Sequence, residues 1–290
     1  MNKLHSLAVL AGAVFAASLS AQNAPAPKIE FPAPSPSATV KERVGITDIE
    51  VNYSRPSMRG REIFGGLVPY GEVWRTGANT ATKVTFSTDV KFGGAAVPAG
   101  SYALYSIPTP DQWTVILSKV TGEWGAYQYD PKDDLVRVTV KPEAYPRHIE
   151  TFTIGLANLD HESSATLFLL WDNVLVPVKI ETDLVGMLQP KIEAAMGTDL
   201  AKKIAFPAAM FYYENNLDLK KAAGWMDAAI AANPNAYYMI YRKGLILAKA
   251  GDKAGALAAA NQSLAMAEKD NSPAGPEYVR LNRALISTLQ

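Results

Sequence analysis

Two periodicities divide the chain. From about Val44 to Glu181, apolar and polar residues alternate. Ile49, Val51 and Tyr53 alternate with Asp48, Glu50 and Asn52, and Val84 and Phe86 with Lys83 and Thr85. Successive side chains on a strand point to opposite faces, so this pattern predicts half-buried strands. Further strands are expected around Tyr102 and Leu104, Trp113 to Leu117, Val136 to Val140, and Phe152 and Ile154. Gly93-Gly94 and Pro98-Ala99-Gly100 read as turns. Thr166 to Trp171 and Val174 to Ile180 flank Asp172-Asn173, two residues that tolerate positive φ, which predicts a tight hairpin there. About nine short strands, with no helical period between them, imply an antiparallel β-sandwich or barrel.

Past Asp183 the apolar period becomes helical, and alanine, leucine and lysine dominate. Phe206 aligns with Ile240 at an offset of 34 residues. Tyr213 then falls on Leu247, Asp218 on Asp252, Ala222 on Ala256, Ala229 on Ser263 and Ile230 on Leu264. Small residues at Ala222, Ala229 and Ala256 let paired helices approach closely, and Asp252 after Gly251 is placed to cap a helix. This period and these positions resemble the tetratricopeptide repeat. Gly244 stands at the motif's small position, where its counterpart is Met210, and Glu268 replaces the closing proline that Pro234 supplies in the first unit. Helices are expected on either side, over Asp183 to Gly197 and Pro276 to Leu289. The fold class expected is therefore α+β with two domains. An all-β domain spans 38–182, and a helical, tetratricopeptide-like repeat domain spans 183–290.

The N-terminus reads as a processing signal. Lys3 precedes an apolar run from Leu4 to Leu19, with small residues at its end at Ser18, Ser20 and Ala21. This predicts a signal peptide over 1–21, cut near Ser20 or Ala21. The run is short for a bilayer span, which needs about 20 apolar residues. Residues 22–37 carry Pro25, Pro27, Pro32, Pro34 and Pro36 and read as an extended spacer. The mature protein is expected to be periplasmic or secreted, with no membrane span.

Composition narrows the chemistry. Basic and acidic residues balance at 28 each, which argues against a nucleic-acid partner, since such binders carry a net basic field. There is no cysteine, which excludes disulfides, thiolate metal sites and a cysteine nucleophile.

The most distinctive stretch is Ser54 to Thr82. It sets Arg55, Arg59, Arg61 and Arg75 among glycines, prolines and aromatics, as neither a plain strand nor a plain helix would. Converging guanidinium forks bind carboxylate, sulfate or phosphate through charge-assisted hydrogen bonds. Asn79 adds an uncharged donor and acceptor, and Tyr70, Trp74 and Trp124 offer aromatic faces for a sugar ring or a cation. The competing reading is structural: the arginines pair with Glu62, Glu72 or Asp89 and clamp the loop, while the tryptophans plug the core.

Three pieces of this β region resemble a bacterial secreted family, domain of unknown function 2911. They are Arg55-Pro56 with Gly60-Arg61, the run Val68 to Asn79 with Thr82, and Pro98 to Tyr102 with Trp113 and Trp124-Gly125. The resemblance implies an extracytoplasmic domain and supplies no activity and no catalytic residue.

Other candidates are fewer. Asp160-His161-Glu162 has metal-ligand types, but adjacent strand residues point to opposite faces, so no metal and no cofactor is expected. Asp130, Asp133 and Asp134 lack the spacing of a calcium loop. His148 is a candidate general base without a visible nucleophile beside it. Two functional readings follow. One is a binding module for a small anionic or glycan ligand, or for a protein or peptide partner reached through the helical repeats. The other is a periplasmic hydrolase or lyase acting on a charged saccharide or peptide. Its acid or base would come from His148, Glu72 or Glu123.

Overall fold

A computed structural model describes residues 30–160 and 163–290. The signal-peptide reading, His161 and Glu162 lie outside them. Ten strands run through the first part: β1 (Ser37–Val44), β2 (Thr47–Ser54), β3 (Thr82–Phe86), β4 (Val90–Phe92), β5 (Ala95–Val97), β6 (Gly100–Pro108), β7 (Trp113–Ser118), β8 (Asp134–Val140), β9 (Glu143–Asp160) and β10 (Ser164–Thr182). They form a six-stranded sheet in the order β1-β2-β3-β6-β7-β8 and a four-stranded sheet in the order β5-β4-β10-β9. All the strand pairs are antiparallel.

The alternation explains the layers. On β2, Ile49, Val51 and Tyr53 are buried while Asp48, Glu50 and Asn52 are not. The inward residues of the larger sheet, such as Val84, Leu104 and Leu117, share one core with Phe92, Ile154, Leu169 and Val178 of the smaller. This is a sandwich.

One expected feature is corrected. Asp172-Asn173 is not a hairpin turn, because β10 runs unbroken through it. Asp172 does take the expected positive φ, of 55°, but as an irregularity within the strand. Its partner on both sides of the irregularity is β9: Leu170 faces Thr153 and Val174 faces Ala144. The strands are also fewer short ones and two long ones, β9 and β10, rather than uniformly short.

Six helices follow: α1 (Leu184–Met196), α2 (Ala201–Glu214), α3 (Leu219–Ala232), α4 (Tyr237–Lys249), α5 (Lys253–Ala267) and α6 (Ala274–Leu289). The 34-residue offset carries α2 onto α4 and α3 onto α5. Asp218 caps α3 by accepting from the Lys220 and Lys221 amides, and Asp252 caps α5 by accepting from Gly255. The aligned small residues Ala222 and Ala256 are both fully buried between packed helices. No helix among the described residues is long and apolar enough to cross a membrane.

Candidate binding cleft

The segment 55–81 leaves β2 and returns as β3, and it is ordered by the sandwich at several points. Ser57 bridges Thr151 and Trp74 bridges Ser106. The Met58 amide donates to Glu150 O and the Phe152 amide to Pro56 O, so the segment extends β9 at its open edge. Met58, Ile63 and Val68 are buried in the main core. Trp74 sits in an aromatic cluster with Phe64, Trp113, Phe152 and Trp171. Its ring is near-parallel to Trp171, at 20° and 5.9 Å between centroids.

The candidate arginines divide into two kinds. Arg55 donates from Nε to Phe152 O (3.2 Å) and from Nη2 to Thr153 Oγ1 (2.9 Å), which ties the loop to β9. Arg59 donates from Nη2 to Pro34 O (3.1 Å), and its amide donates to Glu150 Oε1 (2.8 Å). Asn79 holds the same N-terminal segment, donating to Ser35 O and to Ser54 Oγ. These three side chains therefore bind the protein's own chain. Arg61 is intermediate: it donates to Met58 O and Ser57 O, yet it also lines a cleft. Arg75 lines that cleft too, and its Nε is buried with no hydrogen-bond partner. Among the described residues, none of the four forms an ion pair. The loop is clamped through carbonyl oxygens, the Thr153 hydroxyl and the Glu150 carboxylate, and not through Glu62, Glu72 or Asp89.

The cleft holds about 430 Å³ and opens between the 55–81 segment and the turn that follows β7. Trp74 and Trp171 contribute apolar lining, Arg61, Arg75 and Glu72 contribute charge, and Tyr127 forms part of its wall. Backbone geometry fixes Arg75. Its neighbour Thr76 is fully buried at φ 52°, a conformation that a β-branched residue rarely adopts. The Thr76 hydroxyl lies 2.9 Å from Ser106 Oγ, and the Thr76 carbonyl accepts from Thr82 Oγ1 (2.6 Å). Such over-determined strain is found where a side chain must be aimed. Gly125 brings the other wall close. A Cβ there would stand 2.6 Å from Tyr127 Cε2 and 3.0 Å from Arg75 Nη1. Only glycine leaves room here for both the Tyr127 ring and the Arg75 guanidinium.

The remaining candidates lie elsewhere. Tyr70 lines a smaller cavity with Phe64, Trp113 and Glu143. Trp124 is 64% exposed, one residue before Gly125, and does not line the cleft. His148 pairs through Nδ1 with Asp172 Oδ1 at 2.6 Å and is also outside the lining. Glu123 accepts from the Tyr105 hydroxyl (2.9 Å), and burial with this bond pushes the Tyr105 phenol up. Tyr129 is pushed up to about 12 by burial and by its bond to Asp134. Both phenols therefore stay protonated donors and brace the 119–134 turn against the outer face of the larger sheet. Among the described residues, no group of three His, Asp or Glu side chains is placed to hold a metal ion. Sequence reasoning misses Tyr127 and Trp171, which both line the cleft. The signal for Tyr127 is an aromatic two residues past a turn glycine; for Trp171 there is none, because it reads as ordinary strand core.

A family model described as "Protein of unknown function (DUF2911)" matches residues 35–180, about half of the chain. The chain belongs to the DUF2911 family. The matched span takes in both sheets and the cleft, and it ends where β10 nears α1, so the six helices lie outside the DUF2911 match. Searches of curated proteins and of solved structures returned no match.

Proposed function

We propose that this is an exported binding protein whose cleft takes a small anionic ligand, with Arg75 as its anchor. The observation that carries this is the contrast among neighbours. Arg55 and Arg59 are engaged by the chain itself, while Arg75 has a buried, unbonded Nε and stands beside the strained Thr76. Among the described residues no hydrogen bond or ion pair holds the Arg75 guanidinium, so the donors it turns to the cleft are left for an acidic ligand, while its Nε stays sealed beneath them. Export rests on the leader over 1–21, and the mature N-terminus is expected just after Ser20 or Ala21; mass spectrometry of the secreted protein reads it directly. The stacked helices offer a second surface for a peptide or protein partner.

The hydrolase or lyase alternative needs two acid–base groups facing one bond. Of Glu72, Glu123 and His148, only Glu72 lines the cleft, so the binding reading is preferred.

A thermal-shift screen with sulfate, phosphate and succinate tests the anchor. Saturation at about 100 times Kd stabilises a fold by roughly 2.7 kcal/mol. At least one anion should raise the melting temperature of the wild type and leave Arg75→Ala unmoved. An equal response in the two proteins sinks the proposal.

A further inference from the structure

The cleft carries a second unpaired charge and one exposed ring, a second exposed ring stands on the adjoining turn, and together they point to a ligand class. Glu72 lines the same cleft as Arg75, and among the described residues its carboxylate makes neither a hydrogen bond nor an ion pair. A compact inorganic anion would satisfy Arg75 and leave Glu72 facing like charge. A ligand with a carboxylate at one end and hydroxyls at the other satisfies both, because hydroxyls donate to Glu72. Tyr127 is 83% exposed although it forms the wall beside Arg75, and Trp124, 64% exposed, stands on the same turn. Exposed amphipathic rings beside polar groups suit a partner with an apolar face and polar edges, as a pyranose has. The cavity lies within the range of about 300–1,000 Å³ that holds small organic ligands.

Resting on the anionic reading above, we infer that the ligand is an acidic oligosaccharide. Its terminal uronic acid residue enters the cleft. The carboxylate is held by Arg75, with Arg61 beside it. Ring hydroxyls donate to Glu72, and one ring face lies on Tyr127. The next sugar leaves the cleft across Trp124.

Isothermal titration of the full mature chain tests this with galacturonate, tri-galacturonate, neutral tri-galactose, succinate and phosphate. The trimer should bind more tightly than the monomer. Arg75→Ala should weaken both by roughly tenfold or more, as loss of a charge-assisted bond predicts. Tyr127→Ala should weaken both by roughly threefold to tenfold, as loss of an aromatic contact predicts. Trp124→Ala should weaken the trimer alone. Circular dichroism establishes that each variant is folded, and Arg75→Lys, which keeps the charge without the fork, should fall between wild type and Arg75→Ala. Arg75-dependent binding of succinate or phosphate without galacturonate overturns the saccharide inference and leaves the anion site standing. Equal binding of neutral tri-galactose, insensitive to Arg75→Ala, overturns both, and so does silence to every probe.

Discussion

At the scale of single residues, position in a loop does not decide what an arginine does; its nearest carbonyls do. Arg55 and Arg75 stand in the same 55–81 segment, but one caps the exposed edge of β9 and the other faces a cleft. Their truncations should therefore differ in kind. Arg55→Ala removes two hydrogen bonds from a partly buried guanidinium and should cost about 1–3 kcal/mol in urea unfolding. Arg75→Ala removes no protein partner and should change unliganded stability by less than about 1 kcal/mol. If Arg75→Ala were the more damaging of the two, the cleft reading would give way to the clamp reading. Gly125→Ala should cost about 1–2 kcal/mol in urea unfolding, because its φ of 76° is strained for alanine, and should weaken anion binding as well, because its Cβ would displace both Tyr127 and Arg75. This division was not legible in sequence. The residue types announced guanidinium chemistry, but the carbonyls that engage Arg55 and Arg59 come from Phe152 and Pro34, far along the chain.

At the scale of elements, β10 shows how one pattern serves two structures. Leu167, Leu169 and Trp171 face the core, and so do Val176, Val178 and Ile180, so the buried parity changes across Asp172. A two-residue hairpin produces the same change, since the residues flanking its turn face each other on one side of the sheet. The hydrophobic pattern cannot separate them. The partner strand does: β9 is long enough to pair on both sides of the irregularity, and its own extra residues absorb the shift in register. The helical half was easier to read, since caps and small contact residues are local signals, and Asp252 and Ala256 sit where their chemistry places them. The irregularity itself is testable. Asp172 combines a positive φ with the His148 pair. Asp172→Val should cost about 1–2 kcal/mol in left-handed strain, whereas Asp172→Asn should cost less, because asparagine tolerates that region. Equal losses in denaturant unfolding would show that the carboxylate contact with His148, rather than the backbone, matters at this position.

At the scale of the whole molecule, the cores are separate sets of residues. Two belong to the β half, one drawing on Val44 to Ile180 across both sheets and one built around Tyr105 and Ile116, and two, built around Tyr212 and Met226 and around Tyr241 and Leu285, draw only on the helical half. Each half carries a phenol, partly buried in the β half and fully buried in the helical half, that reports on it. Tyr129 in the β half and Tyr212 in the helical half are both raised to about 12, first by burial and then by bonds to Asp134 and Glu193. An unfolded tyrosine ionises near 10. Between these values the folded state holds protons that the unfolded state has released. The stability contributed by each phenol is therefore complete below about pH 10 and is lost as pH rises towards about 12. Thermal unfolding followed from pH 8 to pH 12 should show the melting temperature falling over that window. Tyr129→Phe should lessen the fall for the part of the signal that comes from the sheets, leaving the share of its raised neighbour Tyr105, and Tyr212→Phe should lessen it for the part that comes from the helices. If either substitution flattened both parts equally, the two halves would unfold as one cooperative unit, and the division into a sandwich and a helical array would describe architecture without describing stability.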